Sequence, residues 1–328
     1  MIGYDPSSER KLKNSHHAIA GAVSGFFTRG ICQPFDVLKI RFQLQWEPLS
    51  KQSSTPGLYT GVIQATKRIY RDEGVKALWK GHVPAQYLSV VYGSAQFYSF
   101  QLLTLLWHHW VSPMSRGTWA NEHSPVTHFS CGCMSGAIAT VVSFPIDIVR
   151  TRLVAQGEPK LYRGMTHAIT TMYTTEGVGS FFRGLTPAVI QTAPLIGAQF
   201  GFYNFFIELW GRCQFGLSKE GEKPMWFPVV GTLGSGALAG LASKTLVYPL
   251  DLIKKRLQMK GFEESRKSFG KVVVYRGLWH CLTSTVREEG FWGLYKGFSP
   301  SMLKAACTSA FHFAFYEFAL YLLVISSS

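Results

Sequence analysis

Three short segments place acidic and basic side chains at one fixed spacing within apolar sequence. Each has a proline, an aspartate two residues later, a base three residues after that and a second base two residues further on. The segments are 34–41, 145–152 and 249–256. The aspartate and the first base share a face of one helix, so one outcome would be three local ion pairs. Unpaired charge is costly in lipid, however, and a ring closed between three helices would satisfy all six groups.

A second motif follows each of these segments, and its internal spacing never varies. It reads acid, glycine, four further residues, aromatic residue, base, glycine, and its copies occupy 73–81, 176–184 and 289–297. Two independent motifs in the same phase predict a tandem repeat of about 100 residues. We therefore divide the chain into an N-terminal tail, 1–15, and three repeats, 16–112, 125–213 and 226–325.

The composition favours an anionic partner and argues against several functions. Of the 328 residues only 16% are charged and 14% are aromatic, which is low and high respectively for a soluble domain. The net charge of +14 suggests nucleic acid, an anionic membrane surface or an anionic solute. Nucleic acid is the weakest of these, because the bases are scattered and no nucleic-acid-binding motif occurs. The sequence shows no nucleophile–base constellation and no zinc spacing, so we predict no enzyme, cofactor or metal site.

Six segments are long enough to form helices that cross a bilayer with tilt: 16–44, 83–110, 125–155, 185–212, 226–258 and 298–325. Each carries polar or charged residues on one side, as expected of a helix between lipid and a polar interior. Glycines four residues apart predict close packing at Gly21 and Gly25, Gly132 and Gly136, and Gly236 and Gly240. Shorter amphipathic stretches, 60–72, 163–175 and 277–288, are predicted to lie along the membrane surface.

The two motifs together resemble the signature of the mitochondrial carrier family, and the resemblance covers about residues 16–325. It implies an all-α membrane protein with six tilted transmembrane helices in three pseudo-threefold repeats and short surface helices. It also implies a monomer in the mitochondrial inner membrane, with both termini toward the intermembrane space, that works by alternating access to one central site. The aromatic–base–glycine turns would then bind cardiolipin at Gly81, Gly184 and Gly297.

By this resemblance the repeated charges form a gate on the matrix side. The implied pairs are Asp36 with Arg150, Asp147 with Lys254, and Asp251 with Lys39. Gln43 and Gln258 occupy the family's bracing position below a pair, whereas the second repeat has Val154 there. We therefore expect two braces.

The opposite, cytoplasmic gate departs from the family pattern. The family has an aromatic residue, an acid, two residues and a base on each even-numbered helix, whereas this chain keeps one acid and no base there. The residues at these positions are Gln101, Tyr203, Asn204, Tyr316 and Glu317. A salt-bridge ring cannot form from them, so we expect weak closure by hydrogen bonds and some uniport beside exchange.

The substrate site is expected midway between the gates. Arg29, Lys244 and Lys304 would be three cations in one cavity, suited to a pyrophosphate, although a lone base can also snorkel to the interface. The other candidate residues are Leu88, Gln96, Gln191, Thr192 and Gln199. By resemblance Leu88, Gln191, Thr192 and Lys304 are substrate contact points. For the polar members of the set, helix packing is nearly as good an interpretation as substrate binding.

Several segments, among them 35–45, 79–86 and 155–160, resemble the family members that carry thiamine pyrophosphate. Segment 155–160 discriminates better than the shared motifs, because it lies in a loop that helix packing does not dictate. The expected function is import of thiamine pyrophosphate into the matrix by antiport, with a nucleotide as counter-substrate. A carrier of adenine nucleotides or coenzyme A is the alternative, although the Gly–aliphatic pair typical of adenine-binding members is replaced by Gln191 and Thr192. A soluble helical-repeat scaffold would instead repeat every 20 to 50 residues, which these motifs do not.

Overall fold

The computed structural model describes residues 14–47, 57–107, 109, 125–157, 160–215, 226–262 and 273–326. These residues form helices and short connections, without a β-strand. The helices are α1 (Asn14–Leu44), α2 (Val62–Glu73), α3 (His82–Leu106), α4 (Pro125–Ala155), α5 (Met165–Glu176), α6 (Leu185–Ile190), α7 (Thr192–Phe215), α8 (Trp226–Gln258), α9 (Leu278–Glu289) and α10 (Phe298–Ser326). Most of the predicted tail, 1–15, lies outside the described residues.

Each third of the chain repeats one order of elements. A long helix is followed by a twelve-residue helix, a 3₁₀ turn and a second long helix. The turns are Val75–Trp79, Val178–Phe182 and Phe291–Tyr295. Two residues separate each turn from the next helix, and the second of them is the glycine of the second motif, which stands at the helix N-cap. The predicted all-α fold in three repeats is confirmed.

The long helices are neighbours in chain order around a bundle. The main contacts between repeats join α3 to α4, α7 to α8, and α10 back to α1. The first helices of the repeats, α1, α4 and α8, also contact one another, whereas α3, α7 and α10 make no comparable mutual contact in the described residues. The bundle is thus closed at the end where α1, α4 and α8 terminate, and open at the other. We call these the closed end and the open end.

The fourth predicted membrane helix, 185–212, is interrupted. It consists of α6 and α7, which are separated at Gln191. Pro194 lacks the N–H that would bond to the Ile190 carbonyl, so the regular hydrogen-bond ladder fails at this point. The backbone still connects across the break, because Leu195 N–H donates to the Gln191 carbonyl at 3.0 Å. The break falls at a predicted substrate residue.

Membrane crossing is not obvious from every helix alone. Among the described helices, one span, Thr127–Ala155, is long and apolar enough to cross a membrane by length and composition. The other long helices carry charged or polar residues that face the interior of the bundle, including Asp36 and Lys39 in α1 and Asp251 and Lys254 in α8. Those residues lower the mean hydropathy without pointing toward lipid.

The predicted close packing of small residues is wrong at five of the six glycines. Gly21, Gly25, Gly132, Gly236 and Gly240 have open space where a side chain would be. Gly136 alone meets a neighbour closely, because an added Cβ would lie 2.9 Å from the Thr192 methyl group. All six positions precede the proline of their helix and so lie toward the open end, where the bundle is not closed.

Candidate functional site

Three ion pairs join the closed ends of α1, α4 and α8. The distances are 2.6 Å for Arg150 Nη2–Asp36 Oδ2, 2.8 Å for Lys254 Nζ–Asp147 Oδ2 and 2.6 Å for Lys39 Nζ–Asp251 Oδ2. These are the pairs implied by the family resemblance. Each pair links two different repeats, so the three helices are held in a closed ring. We call this ring the charge ring.

Two amide side chains support the charge ring from its outer side. Gln43 Nε2 donates to Asp251 Oδ2 at 3.1 Å, and Gln258 Nε2 donates to Asp147 Oδ2 at 2.9 Å. Val154, at the equivalent position of the second repeat, has no polar atom to offer and packs beside Gly81. The pair of Asp36 and Arg150 therefore lacks an amide donor of this kind.

Lys255 is a member of the charge ring that the sequence analysis missed. Its Nζ lies 2.9 and 3.2 Å from the two Asp147 oxygens and 2.9 Å from Thr151 Oγ1. It also donates to Gln258 Oε1 at 3.1 Å. The equivalent residues in the other repeats are Ile40 and Thr151, so the lysine breaks the threefold pattern. That asymmetry was the available signal.

We expect Lys255→Met to weaken the closed end without abolishing it. Asp147 keeps Lys254 and Gln258 but loses one charged hydrogen bond, which costs about 2 kcal/mol. Thermal unfolding of the purified variant in detergent should show a lowered midpoint. Lys67→Met, at an exposed position of α2, is the control and should leave the midpoint unchanged. Equal midpoints for the two variants would contradict the role of Lys255.

A second layer of charge lies just beyond the charge ring. In each repeat the last base of the first motif pairs with the acid of the second motif, and that acid also pairs with the base of the second motif. The first set of pairs is Arg41 with Glu73, Arg152 with Glu176, and Arg256 with Glu289. The second set is Lys80 with Glu73, Arg183 with Glu176, and Lys296 with Glu289. The two motifs therefore keep a fixed relation because they meet in one cluster.

Each of these arginines also reaches into another repeat. Arg41 Nε donates to the Val154 carbonyl at 3.4 Å, Arg152 Nε to the Gln258 carbonyl at 3.3 Å and Arg256 Nε to the Gln43 carbonyl at 3.2 Å. The contacts run from the first repeat to the second, the second to the third and the third to the first. We call this second ring the arginine ring.

A tyrosine completes each arginine cluster. Arg41, Arg152 and Arg256 donate to the hydroxyls of Tyr59, Tyr162 and Tyr275 at 3.1, 3.4 and 3.3 Å. Burial raises the pKa of all three phenols, although the neighbouring arginine opposes the shift. Each tyrosine stands fourteen residues before the acid of the second motif. This third motif was visible in the sequence but was not recognised.

The electrostatics of the first cluster favour the ionised acid. Burial alone would raise the pKa of Glu73, but the hydrogen bonds and charges of Arg41 and Lys80 outweigh it. The pKa of Glu73 is therefore lowered from its usual value. Lys80 Nζ lies 2.5 Å from a Glu73 oxygen.

The glycines that end the second motif pack against the charge ring of the next repeat. A Cβ on Gly81 would lie 3.3 Å from the Arg150 carbonyl oxygen, one on Gly184 3.0 Å from that of Lys254, and one on Gly297 2.9 Å from that of Lys39. Each carbonyl belongs to a base of the charge ring. These turns thus help to seat the neighbouring helix.

A cavity of about 430 Å³ lies next to the charge ring. Its lining comes from α1, α3, α4 and α8 and consists of Arg29, Leu88, Ser89, Tyr92, Gly93, Thr140, Ser143, Phe144, Asp147 and Lys254. Of the predicted substrate residues, it contains Arg29 and Leu88. Within the described residues Arg29 makes no hydrogen bond or ion pair, so its guanidinium is available to a ligand.

The other two predicted cations also face the interior. Lys304 Nζ lies 2.6 Å from Asp36 Oδ1, so this residue is tied directly to the charge ring. Lys244 Nζ donates to the Ser301 carbonyl at 3.1 Å and lies within electrostatic range of Lys39, Lys304 and Asp251. Lys304 thus contacts a carboxylate of the charge ring, whereas Lys244 joins α8 to α10 through the Ser301 backbone.

The predicted polar contacts divide into packed and available groups. The Thr192 hydroxyl donates to the Ala188 carbonyl at 3.2 Å and its methyl packs on Gly136, so this side chain joins α7 to α4. Gln191 Oε1 is buried and has no hydrogen-bond partner in the described residues. Gln96 is half-buried and Gln199 is exposed.

The residues predicted to close the cytoplasmic side do not meet in this conformation. Tyr316 OH lies 2.8 Å from His17 Nδ1, which belongs to α1. Within the described part of the chain, no hydrogen bond or ion pair joins this residue to the other four, Gln101, Tyr203, Asn204 and Glu317. This arrangement agrees with the separation of α3, α7 and α10 at the open end.

Three successive parts of the chain, 10–109, 121–213 and 225–326, match the family model described as "Mitochondrial carrier protein". The chain therefore belongs to the mitochondrial carrier family. Members of this family are transporters and not enzymes, and they cross the mitochondrial inner membrane several times. The three matched parts correspond to the three helical repeats of the fold.

Similar proteins are known along the whole length of the chain. The mitochondrial thiamine pyrophosphate carrier of Homo sapiens is 45% identical over 319 residues, which cover 97% of this chain and 95% of that protein. The protein of the same name from Bos taurus is 46% identical over 318 residues, with 97% and 96% coverage. The mitochondrial thiamine diphosphate carrier 1 of Zea mays is 36% identical over 328 residues, with 96% coverage of both chains.

Proposed function

We propose that this carrier imports thiamine pyrophosphate into the mitochondrial matrix. The observation that carries the proposal is the surplus of positive charge in the charge ring and beside it. Three carboxylates, Asp36, Asp147 and Asp251, face seven bases, Arg29, Lys39, Arg150, Lys244, Lys254, Lys255 and Lys304. Such a surplus attracts an anion with several charges, as a pyrophosphate group is. The names of the similar carriers supply the identity of that anion.

The cavity also offers surfaces for the rest of such a molecule. Tyr92 and Phe144 line it, and aromatic faces attract organic cations such as a thiazolium. Phe144 already lies 5.5 Å from the Lys254 ammonium, measured to the ring centroid.

Alternating access is the mechanism that this arrangement supports. The charge ring closes one end of the bundle and the other end is open, so a solute can reach the cavity from one side only. We assign the closed end to the matrix and the open end, where α1 begins and α10 terminates, to the intermembrane space. The gate residues would separate when the carrier turns over, while the weaker set at the open end closes.

The counter-substrate is proposed to be a nucleotide, because its phosphates suit the same cations. A ring without ion pairs at the open end would close weakly, so some uniport beside exchange is expected.

We further propose that cardiolipin binds at the aromatic–base–glycine turns. A cavity of about 710 Å³ beside the third turn supports cardiolipin binding. It is lined by Trp292, Tyr295 and Gly297 on one side and by Gly61 and Val62 on the other.

Uptake by proteoliposomes tests the proposed function. Liposomes containing the purified protein are loaded with ADP, with thiamine monophosphate or with buffer, and radiolabelled thiamine pyrophosphate is added outside. We expect saturable uptake that is fastest with a nucleotide inside and slower but measurable with buffer. Uptake of labelled ADP or coenzyme A without any uptake of thiamine pyrophosphate would favour the alternative, an adenine nucleotide or coenzyme A carrier, and refute the proposal.

Arg29→Gln tests the arginine of the cavity. Because this guanidinium makes no hydrogen bond or ion pair with the residues that the structure describes, its loss should remove a phosphate contact and leave the fold intact. We expect uptake of thiamine pyrophosphate to fall about tenfold or more, as for a lost charged hydrogen bond. Arg212→Gln is the matched control, because Arg212 is exposed and its ion pair in the described part of the chain is with exposed Glu208. Equal uptake by the two variants would remove Arg29 from the site.

A further inference from the structure

His82, the first residue of α3, lies between α1 and α4. A Cβ on Gly30 would lie 4.0 Å from His82 Cε1, so the ring rests on α1 next to Arg29. A Cβ on Gly81 would lie 3.4 Å from Arg150 Cγ, so the backbone just before the ring rests on the charge-ring arginine of α4. Both arginines lie within electrostatic range of the imidazole. The three side chains therefore form one cluster.

The contacts of Gln86 decide which imidazole nitrogen carries the hydrogen. Gln86 Nε2 lies 3.3 Å from the Phe26 carbonyl oxygen and 3.4 Å from His82 Nε2. The first contact requires the amide nitrogen at this place, because an amide oxygen there would face a second acceptor. An amide nitrogen only donates, so His82 Nε2 accepts. A neutral imidazole then carries its hydrogen on Nδ1, and His82 presents Nδ1–H as a donor.

Three groups in this cluster are hydrogen-bond donors without an acceptor among the residues that the structure describes. His82 Nδ1 and Arg150 Nε are buried and have no hydrogen-bond partner in that part of the chain. The Arg29 guanidinium makes no hydrogen bond or ion pair there either. Buried donors are seldom left unpaired in folded proteins. One kind of occupant satisfies all three, namely a group that accepts hydrogen bonds and carries negative charge. We call these three groups the donor cluster.

The other two repeats lack the donor cluster. The equivalent residues are Leu185 and Phe298 for the histidine, and Lys39 and Lys254 for the arginine. Leucine and phenylalanine have no side-chain donor, and lysine has no N–H at the position of the arginine Nε. Lysine closes the charge ring in those two repeats, so closure does not require an arginine in the third. The histidine and the arginine therefore indicate a ligand that does not share the threefold symmetry.

We propose that the donor cluster binds a phosphoryl oxygen of the transported anion, with His82 Nδ1–H as a substrate contact. Ser89, which lines the cavity, follows His82 by seven residues and lies on the same face of α3. The two buried hydrogens are enclosed in the empty carrier. The phosphate reaches them beside Arg29, whose exposed side chain no hydrogen bond within the described ranges holds in place. This inference rests on the proposed function, since it takes the substrate to bear a phosphate.

Three substitutions of His82 separate a donor from a packing residue. His82→Asn places an amide nitrogen where the imidazole has Nδ1, His82→Gln places one where it has Nε2, and His82→Leu places none. The measurement is equilibrium binding of inorganic pyrophosphate and of thiamine pyrophosphate to the purified full-length carrier. We expect the Leu and Gln variants to bind both about tenfold more weakly than wild type, as for one lost hydrogen bond to a charged group. The Asn variant should keep most of the affinity.

His167→Leu is the control, because His167 is exposed on α5, and it should bind both ligands as wild type does. Wild-type affinity in His82→Leu would overturn the proposal. If His82→Leu does not fold, the other two variants decide. Equal affinities of His82→Asn and His82→Gln would overturn the proposal as well, because a ring that only packs does not depend on which nitrogen keeps its hydrogen.

Arg150→Lys tests the second buried donor. Lysine keeps the positive charge opposite Asp36, as in the other two pairs of the charge ring, but it lacks Nε–H. We expect a several-fold loss of pyrophosphate affinity, and a smaller effect of His82→Leu in this background than in wild type, because both donors bind one phosphate. Fully additive losses would place the two donors in separate surroundings and overturn the shared site.

Inorganic pyrophosphate separates this inference from the proposed function. If wild-type protein binds pyrophosphate through His82 but neither binds nor takes up thiamine pyrophosphate, the donor cluster is a phosphate site and the proposed substrate is wrong. If wild type takes up thiamine pyrophosphate and every His82 variant binds as wild type does, the proposed function stands and the donor cluster is not part of its site. Binding of neither ligand by wild type would overturn both.

Discussion

Replacing Gly297 with alanine is expected to abolish uptake, although the change adds only one methyl group. Gly297 has φ of 79°, and a Cβ there would lie 2.9 Å from the carbonyl oxygen of Lys39. That oxygen belongs to the backbone of α1 and cannot rotate away as a flexible side chain could. The methyl should keep α1 from seating at the closed end, and overpacking of this kind costs about 1 to 3 kcal/mol.

Gly290→Ala is the matched control for backbone strain. Gly290 has φ of 75°, so an alanine there is strained as well, but nothing lies within 4 Å of the added Cβ. We expect both variants to unfold at lower temperature than wild type, and only Gly297→Ala to lose proteoliposome uptake per folded molecule. If both variants lose uptake per folded molecule to the same extent, the contact between residue 297 and the Lys39 carbonyl has no particular role in transport.

Glu289→Gln is expected to be the most destabilising single change in the charged clusters. Glu289 pairs with Arg256 and Lys296, and the three side chains are 3%, 3% and 7% exposed. Removing one partner of a buried pair leaves an uncompensated charge and costs about 3 to 5 kcal/mol. Here two cations would be left at once, and few water molecules could reach them.

Replacing the carboxylates of two more exposed ion pairs by amides gives a scale for the loss of stability. Glu176 holds Arg183, whose side chain is 27% exposed, so Glu176→Gln should cost less than Glu289→Gln. Asp72→Asn breaks a pair whose side chains are 45% and 54% exposed and should cost almost nothing. Thermal unfolding in one detergent and lipid mixture should rank the three variants in this order. The idea of a buried cluster would be untenable if Asp72→Asn were as unstable as Glu289→Gln.

The repeated motifs made the closed end predictable to an unusual degree. Aspartate and base recur at the same phase in three similar units, so the family resemblance could assign partners between repeats. The contact between Asp36 and Lys304 could not be assigned in this way. Sequence spacing gives the height of a residue along its helix, but not the direction in which its side chain turns toward a helix from another repeat.

The differences between the sequence-based expectations and the structure have local causes. Pro194 was visible in the sequence, but its effect depends on whether neighbouring backbone tolerates a lost hydrogen bond, and the structure shows a break at Gln191. Thr192 begins the helix after that break and packs on Gly136, so the two residues of the predicted contact pair have different surroundings in this conformation. Small-residue pairs such as Gly21 and Gly25 indicate where helices can approach, not whether they do so in a given conformation.

The arginine ring lies two residues beyond the charge ring along α1, α4 and α8, so the closed end has two stacked layers of fixed charge. A proton or small cation would have to pass both rings, and every contact in either ring joins two different repeats. If a bulky solute partly loosens the charge ring, the arginine ring therefore still closes this end of the bundle. We expect such a carrier to bind its substrate without a leak of protons or small cations that would dissipate the membrane potential.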